Sequence, residues 1–141
     1  MLLPDVNVLI YAFRPDTPLH ERFRAWLDGL VNADAAYGMS DLVLSGFLRI
    51  VTNPRIFDPP DPIGSALSFA ETLRNRSNCV VLAPGPRHWD IFNSLCQAVH
   101  ARGNLVADAY HAALAIESGS EWITTDGDYT RFPGLRSRRP F

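Results

Sequence analysis

Apolar residues recur along much of the chain with the spacing of one helical face. The stretch DTPLHERFRAWLDGLVN predicts a helix, because five apolar side chains share one side of it: Phe23, Trp26, Leu27, Leu30 and Val31. The stretch DLVLSGFLRIVTN predicts another helix, with Ser40 as its N-cap and Pro54 as its stop signal. Further helices are predicted for SALSFAETLRNR, for residues 88–101 and from about Leu105 to Glu117.

Short apolar runs separate these helices and predict strands. They are LLP near the start, then AAYGMS, CVVLA and EWITT, the last followed by a tight turn at DGDY. On propensity alone, the residues VNVLIYAF would also continue the first strand. Strands separated by helices imply crossover connections, so we expect an α/β fold with a mostly parallel sheet covered on both faces.

Composition indicates a globular protein with one core. The chain has 141 residues, of which 47% are hydrophobic and 20% charged, and no repeat or linker divides it, so residues 1–141 are predicted to form a single domain. No apolar run is long enough for a membrane helix, and the N-terminus lacks the features of a signal peptide. We therefore expect a cytoplasmic protein with no membrane contact, in which Cys79 and Cys96 are free thiols.

The charged residues are unusual in one respect, because all 13 basic residues are arginine and the formal net charge is −2. Arginine binds phosphate in a bidentate manner, so this composition is compatible with a nucleic-acid substrate. Four arginines near the C-terminus form either a solvated tail or a binding patch: Arg131, Arg136, Arg138 and Arg139. Arg49, in GFLRIV, is predicted either to reach the rim of a cleft or to form a surface ion pair.

Acidic residues stand where two of the predicted strands end. Asp5 follows LLP inside an apolar run, where a carboxylate is costly unless a cation or a hydrogen-bond donor meets it. Asp126 and Asp128 follow EWITT. Ligands of parallel α/β sheets bind beyond the carboxyl ends of the strands, so these acids are expected to share one cleft.

A further acid, Asp108, lies in the predicted helix of GNLVADAYHAALAIESG. A carboxylate in the first turn of a helix suits the helix dipole, so one interpretation is that Asp108 only helps to start this helix. The helix is also rich in alanine, which would let it approach the sheet closely and bring Asp108 toward the strand ends. The second interpretation makes Asp108 a functional residue.

Four segments together carry a family resemblance: PDVNVLIYAF, FLRIVTNPRIF, GNLVADAYHAALAIESG and ITTDGDYTRFPGL. In order and spacing they resemble the PIN-domain ribonucleases, and among these the VapC-type toxins of toxin–antitoxin modules. The resemblance covers essentially the whole chain. It implies a Rossmann-like α/β/α sandwich that cuts RNA with Mg²⁺, or Mn²⁺, held by a cluster of acids.

The resemblance also implies roles for individual residues. Asp5, Asp108 and Asp126 match the acids that the family uses as catalytic residues and metal ligands. Asp128 matches a frequent additional acid, while Asn7 and Thr124 match supporting polar positions.

One position departs from the family pattern. Many PIN domains carry a glutamate in the helix that is here SDLVLSGFLRIV, where Leu44 and Gly46 occupy the expected places. Asp41 is the only acid in this helix. It is predicted either to replace the glutamate as a metal ligand or merely to cap the helix together with Ser40.

The predicted function is that of a metal-dependent endoribonuclease, the toxin of a toxin–antitoxin pair. The resemblance implies an RNA substrate, a small antitoxin that covers the cleft, and a homodimer formed through helical faces. The alternative is a PIN-like module that has lost activity and only binds RNA or protein. The missing glutamate favours the alternative, and the presence of Asp5, Asp108 and Asp126 favours the enzyme.

Overall fold

Six α-helices and five short strands alternate in the computed structural model, which describes residues 1–141. The helices, α1 to α6 in chain order, are Val6–Phe13, His20–Asn32, Asp41–Val51, Ile63–Arg74, His88–Ala98 and Asn104–Ser118. The strands, β1 to β5, are Leu2–Pro4, Tyr37–Ser40, Cys79–Leu82, Glu121–Ile123 and Ser137–Arg138. A short 3₁₀ helix, Gly127–Arg131, follows β4.

The strands form two parallel ladders that lie side by side. One ladder has the order β1-β4-β5, with Leu3 opposite Trp122, and the other pairs β2 with β3. Gly38 of β2 lies against β1, where a Cβ atom would be 3.4 Å from Leu3 Cδ1 and 3.6 Å from the Leu2 carbonyl oxygen. The two ladders therefore meet between β1 and β2, and the mostly parallel sheet predicted from the strand–helix alternation is confirmed.

Helix α6 lies close to the sheet because the side facing it is built from alanine. Ala109, Ala112, Ala113 and Ala115 are fully buried, and the helix contacts β4. These residues belong to a hydrophobic core of 27 buried side chains. The expectation that small residues bring this helix down onto the sheet is confirmed.

The first segment differs from the expectation that it could continue as a strand. VNVLIYAF forms α1, and β1 ends one residue before Asp5. Helical periodicity is hard to see here because nearly every residue is apolar, and four of the eight are buried: Val8, Leu9, Ile10 and Ala12. The helix begins at this point because the Asp5 side chain caps it.

Smaller differences occur later in the chain. Helix α6 starts at Asn104, so Asp108 lies beyond its first turn, which removes the interpretation that Asp108 only starts the helix. DGDY leads into the 3₁₀ helix, and β5 was not predicted, since its two residues have no pattern of their own. Cys79 and Cys96 are free thiols, as predicted. None of the helices is long and apolar enough to cross a membrane.

Candidate functional site

Asp5 stands at the junction of β1 and α1, where its backbone N–H donates to the Ile123 carbonyl oxygen at 2.8 Å. Only 5% of the residue is exposed. One carboxylate oxygen accepts from the Val6 N–H at 2.6 Å, and the other accepts from Thr124 Oγ1 at 2.6 Å and Asn7 Nδ2 at 2.9 Å. The buried acid is therefore met by hydrogen-bond donors and not by a basic side chain.

Burial dominates the ionisation of Asp5. Burial raises the pKa of the carboxyl and the nearby Asp108 charge adds to this, while the hydrogen bonds from Thr124, Val6 and Asn7 lower it; the net pKa is about 6. The three donors orient the carboxylate without fully compensating its lost hydration. A cation arriving next to this group would meet a well-positioned oxygen ligand.

Asn7 and Thr124 join the start of α1 to the segment after β4. Asn7 Nδ2 also donates to Thr124 Oγ1 at 3.2 Å, and Asn7 Oδ1 accepts from the Thr125 N–H at 3.2 Å. Thr124 Oγ1 in turn accepts from the Asp126 N–H at 3.0 Å. The two residues that the resemblance marks as supporting thus both contact Asp5, and Thr124 also contacts the backbone of Asp126.

Asp108 reaches the same region from α6. It is half-buried, and the Tyr129 hydroxyl donates to its Oδ1 at 3.2 Å. Burial raises the pKa of Asp108, and repulsion from Asp126 and Asp128 adds to this effect. The sequence had not singled out Tyr129; no local pattern could reveal that a residue of the 3₁₀ helix donates to one on α6.

Asp5, Asp108, Asp126 and Asp128 all line one cavity of about 640 Å³, here called the acid cavity. Asp126 is held by its own loop, because its Oδ1 accepts from the Asp128 N–H at 2.9 Å. None of the five ion pairs in the molecule involves any of these four carboxylates. The cavity therefore concentrates negative charge without a bonded side-chain cation.

The donor set of the acid cavity fits a hard divalent ion such as Mg²⁺ or Mn²⁺, which take carboxylate and water oxygens. No group of three His, Cys, Asp or Glu side chains is arranged to hold a metal ion together. Mg²⁺ often binds to one or two carboxylates and keeps several waters, so these residues fit a hydrated ion rather than a closed cage. Asp5, Asp108, Asp126 and Asp128 line the cavity and are the candidates to hold such an ion, directly or through its water molecules.

Asp41 lies outside the acid cavity, which corrects its prediction as a replacement for the family glutamate. Its carboxylate accepts from Arg74 Nε at 2.7 Å and from Arg74 Nη2 at 3.2 Å, and this ion pair lowers the pKa of Asp41. As the first residue of α3, Asp41 points toward the end of α4 instead. The N-cap role belongs to Ser40, whose hydroxyl accepts from the Leu42 N–H at 3.2 Å.

Helix α3 nevertheless forms one wall of the acid cavity. The residues that it presents there include Ser45, Gly46 and Arg49, none of which is acidic. A Cβ atom on Gly46 would lie 3.0 Å from Val6 Cγ2, so the wall is closely packed against α1 at this point. Neither Leu44, which is buried in the core, nor Gly46 supplies the missing carboxylate.

His111 also lines the acid cavity, one helical turn after Asp108. Its ring stacks on Trp122 with 5.3 Å between centroids, and its Nδ1 is buried without a hydrogen-bond partner. Burial lowers the pKa of His111 to about 4, so the imidazole is neutral at pH 7. It contributes no positive charge to balance the acids.

The four C-terminal arginines are all exposed, and two of them bind residues near the start of β4. Arg138 pairs with Glu121, and Arg136 Nη2 donates to the Gly119 carbonyl oxygen at 2.7 Å. These contacts attach the tail to β4 and to the end of α6, and of the four arginines only Arg138 forms an ion pair.

Comparison with known proteins agrees with this geometry. A family model described as the PIN domain matches residues 2–135. The chain belongs to the PIN-domain family. Among the relatives of this PIN domain is ribonuclease VapC43 of Mycobacterium tuberculosis (strain H37Rv), 42% identical over 140 residues that cover 99% of this chain and 95% of that protein.

Two further comparisons support the same membership. Ribonuclease VapC25 of Mycobacterium tuberculosis is 39% identical over 140 residues, covering 99% of each protein. The PIN fold also matches the crystal structure of VapBC2 from Rickettsia felis bound to a promoter DNA fragment. That match has a TM-score of 0.72 and 15% identity, and covers 98% of this chain and 97% of the other.

Proposed function

We propose that this PIN-domain protein is a metal-dependent endoribonuclease that acts as the toxin of a toxin–antitoxin pair. The observation that carries the proposal is the acid cavity, which four carboxylates from three separate segments of the chain line without a bonded cation. Relatives that share 42% and 39% of their residues with this chain are named ribonucleases, which supports the same activity here.

The metal-binding role falls to Asp5, Asp108 and Asp126. When bound, Mg²⁺ or Mn²⁺ would make a water molecule more acidic and neutralise negative charge on the phosphodiester. The chain's own part is to present oxygen ligands in fixed positions. Asp5 is oriented by its three hydrogen bonds, Asp108 by the Tyr129 hydroxyl, and Asp126 by its bond to the Asp128 N–H.

The proposed partners follow from the resemblance and from a second cavity. An apolar cavity of about 580 Å³ adjoins the acid cavity and shares Leu42 and Ala107 with it. Leu42 and Val106, at its edge, are 46% and 38% exposed. Apolar surface of this kind is typical of interaction sites, and we propose that a second copy of the chain covers it in a homodimer.

A VapB-type antitoxin is the other proposed protein partner. The similar structure from Rickettsia felis is a VapBC2 complex, and the open, negatively charged acid cavity could receive a basic segment of such a protein. The free thiols and the RNA substrate fit the cytoplasm, which is the compartment that we propose.

The second candidate function is a binding module without activity. It is favoured by the absence of the family glutamate, since Leu44 and Gly46 occupy its expected places and α3 contributes no acid to the wall of the acid cavity.

Cleavage of RNA by the purified protein distinguishes the two functions. Total cellular RNA is incubated with Mg²⁺, with Mn²⁺ or with EDTA, and the ends that form are mapped. We expect cleavage with either metal and none in EDTA. Asp5→Asn and Asp108→Asn should lose cleavage. Asp34→Asn, at an exposed loop residue, is the control and should cleave RNA like the parent. RNA binding without cleavage under every metal condition would support the binding module instead.

A further inference from the structure

Arg49 is the only positively charged side chain that lines the acid cavity. It projects from α3 on the same face as Ser45, four residues earlier, because residues at that spacing lie one above the other on a helix. The opposite face of α3 is buried in the core through Val43, Phe47 and Val51. The packing of the helix therefore fixes the side from which Arg49 enters the cavity.

Arg49 makes no ion pair and no side-chain hydrogen bond in the structure, although four carboxylates line the same cavity. Arginines elsewhere in the molecule do pair with acids. Arg74 binds Asp41 with two hydrogen bonds, and Arg14 binds Asp16 and Asp61. The guanidinium of Arg49 is thus exposed and available to an anion that enters the cavity.

RNA is a polyanion, and a wall of carboxylates repels it unless cations are present. A metal ion at the acids would attract the phosphate that is cut, while the neighbouring phosphates would still need a positive partner. A guanidinium suits this role because it binds phosphate in a bidentate, planar geometry. The α3 wall offers such a group and, at Ser45 and Gly46, no bulky or acidic side chain to exclude the strand.

We propose that Arg49 is a substrate-positioning residue that binds a phosphate of the RNA strand next to the one that is cut. This proposal rests on the proposed ribonuclease function and adds to it the contact that aligns the substrate against α3. In this proposal, α3 contributes to substrate binding through Arg49 and provides no metal ligand.

Binding and cleavage are to be measured separately in Arg49→Gln and Arg49→Lys. Binding of a fluorescent single-stranded RNA oligonucleotide is followed by anisotropy in the Asp5→Asn background with EDTA, over a series of KCl concentrations. Arg55→Gln is the matched control, because Arg55 is an exposed arginine in the turn after α3 that does not line the cavity.

We expect Arg49→Gln to weaken RNA binding roughly tenfold, as for loss of a hydrogen bond to a charged group. The slope of log Kd against log salt should fall by about 0.7, the value for one phosphate contact on a single strand. In the background with Asp5 intact, KM should rise by a similar factor while kcat changes little. Arg49→Lys should fall between parent and Arg49→Gln, and Arg55→Gln should match the parent. Thermal melting shows whether each variant is folded.

The outcomes separate this proposal from the ribonuclease function. If the parent cleaves RNA but Arg49→Gln equals Arg55→Gln in Kd, salt slope and KM, the role of Arg49 is wrong and the ribonuclease stands. If the parent does not cleave RNA, while Arg49→Gln still weakens RNA binding and flattens its salt slope, the ribonuclease is wrong and phosphate binding by Arg49 is supported.

Discussion

At the scale of single residues, Asp5 combines two opposing effects. Three donors hold its carboxylate in position, and each such bond favours the ionised form, yet burial favours the protonated form and prevails. Because the buried Asp5 carboxylate is incompletely solvated, its negative charge reduces the stability of the metal-free fold. Such a cost is typical of active-site acids, whose pKa values are displaced by the same burial that prepares them for a ligand.

The raised pKa of Asp5 predicts how stability depends on pH. Between the ordinary pKa of 3.8 and the raised value of about 6, the folded protein holds a proton that the unfolded chain has lost. The contribution of Asp5 to stability therefore falls as pH rises through this window. In EDTA, the free energy of unfolding of Asp5→Asn relative to parent should increase from pH 4 to pH 7, by at most about 3 kcal/mol.

Urea denaturation of both proteins at several pH values measures this difference. Asp34→Asn provides the control, because Asp34 is exposed in the loop before β2 and should show a constant difference from the parent. A difference between Asp5→Asn and parent that stays flat across the window would show that Asp5 ionises at its ordinary pKa.

At the scale of elements, the helices with one apolar face were predictable because their periodicity is a local property of the sequence. The helix α1 was not, since a helix buried on several sides loses its polar positions, and only the cap at Asp5 shows where it begins. Strand β5 was not predictable either, because its two residues are ordered by pairing with β4. Local pattern therefore accounts for α2 to α6 better than for α1 and β5.

The same distinction applies within the site. The positions of Asp5 and Asp126 follow from a topological rule about strand ends, which needs only the order of elements. The bond from Tyr129 to Asp108, the pairing of Asp41 with Arg74 and the entry of Arg49 into the cavity depend on how helices pack against one another. Side-chain direction on a helix cannot be assigned until its neighbours are known.

Two glycines inside helices test how closely α3 packs against α1. Replacing glycine by alanine inside a helix gains roughly 0.5–1 kcal/mol when the site is open. Gly29 in α2 has nothing within 4 Å of a built Cβ, so Gly29→Ala should stabilise by that amount. At Gly46 the Cβ would meet Val6 Cγ2 at 3.0 Å, so Gly46→Ala should gain less or lose stability.

Chemical denaturation measures these differences in the parent, in the single variants Gly29→Ala, Gly46→Ala and Val6→Ala, and in the double variant Val6→Ala with Gly46→Ala. Removing the Val6 methyl groups should restore the gain at position 46, and the two changes should be non-additive. Equal stabilisation by Gly29→Ala and Gly46→Ala would mean that α1 and α3 have room between them.

At the scale of the whole molecule, the two large cavities lie next to each other and differ in character. One is lined by acids and the other mainly by apolar side chains, with Leu42 and Ala107 between them. A partner copy seated on the apolar cavity would therefore stand close to the acid cavity. Dimer formation would then limit the directions from which RNA can enter.

The proposed homodimer predicts the effect of a charge at the apolar cavity. Val106→Glu places a carboxylate in a surface that would become buried, and burial of an unpaired charge is strongly unfavourable. Sedimentation velocity should show a dimeric parent and a monomeric Val106→Glu protein. Leu67→Glu, at a residue of α4 that is 41% exposed and does not line the cavity, should remain dimeric. A parent that sediments as a monomer would contradict the homodimer.

The hydrogen bond between Thr124 and Asp5 spans 119 positions, and this has a consequence for synthesis on the ribosome. Translation proceeds at about 5–20 residues per second, and β1 emerges long before β4, its only partner in the ladder. Of the three donors to Asp5, Val6 and Asn7 are local in the sequence, but Thr124 is available only after the segment around Asp126 has left the ribosome. A nascent chain therefore carries the first acid throughout its synthesis, but the acid cavity is complete only once Asp126 and Asp128 have been added.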